Sequence, residues 1–186
     1  MILVDTREQK NKHITDAFDR MGILWDRSKL YVGDYALIED MSLTVDRKAG
    51  MHEVYSNLIQ QHERFRREAA RAKQAGVRLI VLVEEYALNT LEDVEHWKNP
   101  RIARYDFIEK MHRCGKMLNV KNAARRPVDS ARLMAIMRSM TLKYGVEWRF
   151  TSKEKCGEEI VRMLMERKHE ENKDALESLS NVLSGR

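Results

Sequence analysis

Two apolar periods alternate along this chain, one near 3.6 and one near 2, and together they sketch its elements. "ILVD" (2–5) is a short apolar run of buried-strand type, and a polar stretch, "TREQKNK", follows it. In "HITDAFDRMG", Ile14, Ala17, Phe18 and Met21 fall on one helical face, with Gly22 as the stop. "ILWDRSKL", "VGDYALI" and "SLTVDRKA" then read as strands. Met51, Val54, Tyr55, Leu58, Ile59, Phe65, Ala69 and Ala72 predict one long helix over 51–75, closed by Gly76. "VRLIVLVEE" (77–85) is apolar throughout and short, as a central strand buried on both faces must be. Residues 87–128 are less regular and predict two helices, near 90–98 and 102–118, and then a loop. Three more elements follow: a helix capped by Asp129 or Ser130 and stopped at Gly145, the strand "VEWRFT", and the helix "SKEKCGEEIVRMLMERK". The order β-α-β-β-β-α-β-α-α-α-β-α predicts an α/β fold, a mixed central sheet flanked by helices on both faces. One domain over 1–169 is expected, with a helical insertion at about 87–128 and a polar tail over 170–186 carrying Leu176, Leu179 and Leu183.

Composition narrows the partners. With 43% apolar and 34% charged residues among 186, the chain has enough apolar side chains for a core and is too apolar for wholesale disorder. No apolar run approaches membrane-spanning length, the N-terminus turns charged at once, and Cys114 and Cys156 lie far apart without zinc spacing. An intracellular, reduced setting without a membrane partner is the expectation. The net charge of +5 suits a polyanion. It is concentrated: residues 96–128 hold nine basic and two acidic side chains, a net of +7, which leaves −2 for the rest. Lys98, Arg101, Arg104, Arg125 and Arg126 belong to that stretch, and Arg64, Arg67 and Arg71 form a second basic face on the helix 51–75. The six histidines show no metal-ligand spacing, and Trp97, among the basic residues, is a rim or core residue or a base contact.

The two charged strands carry the chemistry. Side chains alternate faces, so Asp46 and Lys48 share one face and Val45 and Arg47 the other. Residues paired across an antiparallel ladder keep a constant sum of their numbers, and a sum of 80 sets Asp34 opposite Asp46. That register needs an odd turn near Asp40, or an even turn with a bulge. Two carboxylates and an ammonium then converge. Like charges so close repel unless a cation lies between them, and a hard divalent ion such as Mg²⁺ takes oxygen ligands of this kind. The plain alternative is a hairpin facing water with a surface salt bridge. Asp followed by Asp-x-Lys on the next strand is the minimal pattern of the restriction-endonuclease-like nucleases.

Further motifs occur in one order: "VDTRE" (4–8), "VGDYAL" (32–37), "VDRK" (45–48) and "ERFRREAARAKQAGVRLIVLVEE" (63–85), with a later match over 131–164. They resemble the XPF-type structure-specific endonuclease family, over roughly residues 1–86 and 129–167. The resemblance implies a restriction-endonuclease-like nuclease fold and a Mg²⁺- or Mn²⁺-dependent enzyme that cuts branched, flap or junction DNA in repair or recombination. By motif position, Asp34 and Asp46 match the family's metal-binding acids. Arg47 and Lys48 match its Arg-Lys signature, with the Arg47 backbone carbonyl as a further metal ligand. Asp5, Arg7 and Glu8 match its supporting first motif, and Arg64 matches the basic residue of its long helix. Three departures stand out. Asp46 replaces a Glu. The closing Asp of the signature falls on His52, with Glu53 next to it. No tandem helix-hairpin-helix module follows, which leaves DNA grip to the basic stretch 96–128 and suggests a compact phage or mobile-element member. A homodimer or heterodimer is implied as well. A catalytically inactive DNA-binding or scaffold subunit, and a module binding an acidic protein, are the competing readings.

Overall fold

The computed structural model describes residues 1–115 and 126–166. Six strands form one sheet: β1 (Ile2–Asp5), β2 (Trp25–Ser28), β3 (Tyr35–Leu37), β4 (Asp40–Lys48), β5 (Arg78–Glu84) and β6 (Glu147–Thr151), in the order β2-β1-β3-β4-β5-β6. β3 runs antiparallel to both neighbours, and the other pairings are parallel, so the sheet is mixed. Parallel neighbours need crossovers, and helices supply them. α1 (Lys12–Arg20) joins β1 to β2, and a second helical stretch joins β4 to β5.

The helices divide between the two faces. α1 and the helix over 156–166 (α6) cover one side, where Ile14, Phe18 and Ile160 meet Val45, Ile80 and Leu82. The other side packs α2 (Met51–Tyr55), α3 (His62–Gln74) and α5 (Ser130–Tyr144), where Met51, Phe65 and Met137 meet Leu79, Val81 and Val83. β5 is therefore buried on both faces, as its unbroken apolar run requires. Phe18, Tyr35 and Phe65 are fully buried, each contributing about 1.5–3 kcal/mol of hydrophobic transfer energy. α1 and α6 touch so closely that a Cβ on Gly157 would lie 2.6 Å from the Ala17 Cβ and 3.1 Å from the Ile14 carbonyl oxygen.

Three expected elements differ in detail. The helix expected over 51–75 is broken into α2, a π-helical turn (Ser56–Gln60) and α3, with Gln61 out of helical conformation between them. The expected helix near 90–98 is a 3₁₀ turn, Glu92–His96, too short of apolar residues to propagate. The next helix, α4 (Pro100–Arg113), starts earlier than its periodicity implies. Asn99 caps it by accepting from the Arg101 amide (3.1 Å), and Pro100 sits at its first position. α5 is capped by Asp129, which accepts from the Arg132 amide at 2.8 Å. The tail leucines and Arg125 lie outside the described residues. No helix among the described residues is long and apolar enough to cross a membrane.

Candidate active site

The β3–β4 hairpin uses the second of the two ways to align its acids. Leu37 pairs with Asp40 around the two-residue turn Ile38–Glu39, an even turn, and the pairing then shifts between Leu37 and Ala36. Beyond the bulge, Ala36 faces Thr44 and Tyr35 faces Val45, so the ladder points Asp34 at Asp46. The Asp34 amide donates to the Val45 carbonyl (2.8 Å), and the Arg47 amide donates to Asp34 Oδ2 (2.9 Å). Gly33 makes this crossing possible. Its φ is +72°, and an added Cβ would stand 2.9 Å from the Thr44 Cβ.

Asp46 and Lys48 are 3% and 7% exposed, which rules out the water-facing hairpin. Lys48 Nζ donates to Asp46 Oδ1 at 2.7 Å and lies 5.9 Å from the centre of the Phe65 ring. Asp46 Oδ2 is 2.6 Å from Nζ but off the hydrogen-bonding direction, so this buried oxygen has no hydrogen-bond partner. Burial, and then the neighbouring Asp46 charge, raises the Asp34 carboxyl well above the ordinary carboxylate range. Burial works against the Lys48 charge, yet Asp46 and Asp34 together hold its proton more tightly than in water. Crowded oxygens, one of them held by charge without a hydrogen bond, form a donor set that fits a hard divalent cation. An added positive charge would relieve the repulsion that raises Asp34.

Arg47 points through the other face of β4. Its Nε and Nη2 donate to the two oxygens of Glu84 (2.9 and 2.6 Å), and its Nη1 reaches Glu8 at 3.3 Å and the Lys10 carbonyl at 3.4 Å. His13 Nε2 also contacts Glu84, at 2.5 Å, and Cys156 completes a group whose ligand atoms lie within 4.8 Å of one another. The fold thus brings together a histidine that sequence spacing leaves isolated. Glu84 is already neutralised there. Burial would raise its carboxyl, but the hydrogen bonds from Arg47 and then His13 lower it. Burial pushes the Cys156 thiol far up and keeps it protonated. This group works as a buttress for Arg47. Burial also raises Glu8, with Arg47 opposing.

Asp5, expected among the site residues, is fully buried and does not line the cleft. Its Oδ1 accepts from the Arg7 amide (2.8 Å) and Nε (2.7 Å). Its Oδ2 accepts from Arg7 Nη2 (2.9 Å) and the Leu30 amide (2.8 Å). Burial opposes its charge, but the hydrogen bonds from Arg7 and then from Leu30 lower its carboxyl overall. Asp5 therefore positions Arg7 and the segment that leads to Asp34.

These groups open on a cleft of about 480 Å³. Asp34, Asp46, Arg47 and Lys48 line it with Arg7, Glu8 and Glu53, and α3 contributes Arg64, Arg67, Glu68 and Arg71. Ser56, Asn57 and Gln61 also line it. They come from the π-helical turn and the break after it, and no sequence motif marks them. Glu53, not His52, takes the place beside the acids; it also accepts from the Ala49 amide at 2.9 Å. His52 turns its ring edge to Trp97, 5.9 Å between centres. The other expected basic residues do not line this cleft. Lys98 borders a separate groove with Trp97, and Arg101 stacks 4.9 Å from the Tyr55 ring centre. Arg104 is exposed, and Arg126 stands 3.5 Å from Asp106.

Against this geometry, the sequence matches the model of the ERCC4 domain over residues 4–164. The chain belongs to the ERCC4 domain family. Two solved structures share the fold of this ERCC4 domain. XPF from Aeropyrum pernix matches with a TM-score of 0.53 at 19% identity, covering 88% of this chain and 64% of that one. XPF from Aeropyrum pernix in complex with DNA matches at 0.56 and 18%, covering 90% and 64%. The ERCC4 domain described here thus spans a little under two thirds of the length of those structures. No curated protein sequence matches it.

Proposed function

We propose that this ERCC4 domain is a metal-dependent endonuclease that hydrolyses phosphodiesters in branched, flap or junction DNA. The observation that carries the reading is the buried acid pair: Asp46 Oδ2 has no hydrogen-bond partner, and the Asp34 carboxyl is raised beside it. Asp34, Asp46 and the Arg47 backbone carbonyl are the groups that would hold Mg²⁺ or Mn²⁺. Such an ion, when bound, lowers the pKa of a water and offsets charge on a phosphoryl oxygen. The chain's own residues do the rest. Lys48 orients Asp46 through Nζ, and its remaining hydrogens are available to a phosphate oxygen. Arg7, Arg64 and Arg67 line the same cleft and suit the flanking phosphates. The Glu84–His13 buttress holds Arg47, and with it the end of β4, in place.

The reading includes a second subunit, identical or not, and a place in DNA repair or recombination. The deciding experiment follows cleavage and binding of a labelled flap duplex together. Asp46→Asn should lose cleavage and bind the flap as tightly as the parent or more so, since a negative charge has left the cleft. An Asp46→Asn protein that cuts at the parental rate would overturn the assignment. A parent that binds flaps but never cuts, in Mg²⁺ or in Mn²⁺, would identify a non-catalytic subunit.

A further inference from the structure

Tyr31 is 64% exposed, yet it sits between two of the better-buried residues of its segment, Leu30 (3%) and Val32 (2%). The backbone there is tied on both sides. The Leu30 amide donates to Asp5 Oδ2 at 2.8 Å, and its carbonyl accepts from Arg7 Nη2 at 3.2 Å. Two residues on from Tyr31, Gly33 lies hard against Thr44, and three residues on, the Asp34 carbonyl accepts from the Asp5 amide at 2.8 Å. An aromatic ring is thus held out into solvent by a segment with little freedom to withdraw it. Arg71 stands over this ring, its guanidinium carbon 5.9 Å from the centroid, and Arg71 also lines the cleft. Arg64, Arg67 and Arg71 occur three and four residues apart on one face of α3, a line about 10 Å long by helical rise. Tyr31 stands at the end of that line.

We propose that Tyr31 and Arg71 form a stacking subsite for one unpaired nucleobase at the mouth of the cleft. The inference rests on the endonuclease reading and adds what selects a branched substrate. A base inside a duplex has both faces covered by its neighbours, so away from a duplex end only an unpaired base can lie on Tyr31. Arg71 supplies a cation for the phosphate of the same nucleotide and a cation–π partner for the ring. Because the ring is fixed in advance, stacking orders the nucleotide but not the protein, which favours binding.

The test compares Tyr31→Ala and Tyr31→Phe on a fork with an oligothymidine arm and on a blunt duplex. Anisotropy is read in EDTA so that nothing is cut, and 2-aminopurine is placed at the arm nucleotide next to the junction. Stacking on an aromatic side chain corresponds to a loss of roughly 5- to 150-fold when it is removed. Tyr31→Ala should therefore weaken fork binding by about that factor, leave blunt-duplex binding unchanged and abolish the quenching of 2-aminopurine. Tyr31→Phe should behave as the parent. Unchanged fork binding by Tyr31→Ala would overturn the subsite, as would an equal loss on both substrates or a Phe variant as weak as the Ala variant. Cleavage of the same fork by the parent in Mg²⁺ separates the two ideas. A parent that cuts while Tyr31→Ala binds normally removes only the stacking subsite. A parent that does not cut but shows Tyr31-dependent quenching removes only the nuclease reading.

Discussion

Asp34 stands just before β3 and Asp5 at the end of β1, and their surroundings push the two acids in opposite directions. Asp5 accepts four hydrogen bonds, which lower its carboxyl; burial, and then the Asp46 charge, raise that of Asp34. The folded state therefore binds the Asp34 proton more tightly than the unfolded chain does. Asp34 costs stability above its unfolded pKa, and the cost grows as pH rises towards its raised folded value. In EDTA, Asp34→Asn should melt at a higher temperature than the parent at neutral pH, and the gap should close in acid. Mg²⁺ should raise the parent's melting temperature and leave the variant's nearly unchanged. A variant that melts below the parent in EDTA at neutral pH would mean that burial and the Asp46 charge do not strain Asp34. Asp34, Asp46 and Lys48 were legible from strand alternation and a register sum. The inward turn of Asp5 was not, because a strand-end acid followed by polar residues reads the same whether it faces water or a buried amide.

At the scale of elements, the chain order was legible almost throughout, since each strand and helix carries its own period. The break in the 51–75 helix was not. Leu58, Phe65, Ala69 and Ala72 keep a continuous helical phase across it, so periodicity alone gives no sign of the π-helical turn. The bulge in the hairpin was legible only as one of two options, because pattern fixes the face of a residue but not the number of residues in a turn. The close approach of α1 and α6 also escapes the sequence, where Gly157 reads as an ordinary weak point in a helix. There, Gly157→Ala should lower stability by about 1–3 kcal/mol despite alanine's better helix propensity, because the methyl group meets the Ala17 Cβ and the Ile14 carbonyl. Urea denaturation would measure it, and a more stable variant would show that the two helices can part at no cost.

For the whole molecule, charge is divided between two surfaces, the arginines of α3 around the cleft and the basic stretch that includes α4. Phosphate contacts release counterions, so each phosphate neutralised adds about 0.9 to the log–log salt slope of DNA binding. Arg64→Ala with Arg67→Ala should flatten the slope by up to ~2 and lower kcat/KM. Arg101→Ala with Arg104→Ala should flatten the slope without changing the rate of cleavage at saturating DNA, because neither residue borders the cleft. A salt titration of both pairs decides which surface holds the duplex. The composition announced the second surface and understated the first, because α3 also carries Glu63 and Glu68 and its net charge conceals how its arginines are grouped. The two thiols differ as sharply as the two surfaces. Cys156 is sealed behind Arg47 and Glu84 and kept protonated, while Cys114 is exposed at the end of α4. A maleimide dye should therefore attach at one position of the unaltered chain, beside the basic stretch and away from the acids, and that single label would report DNA arrival there without a cysteine being added or removed.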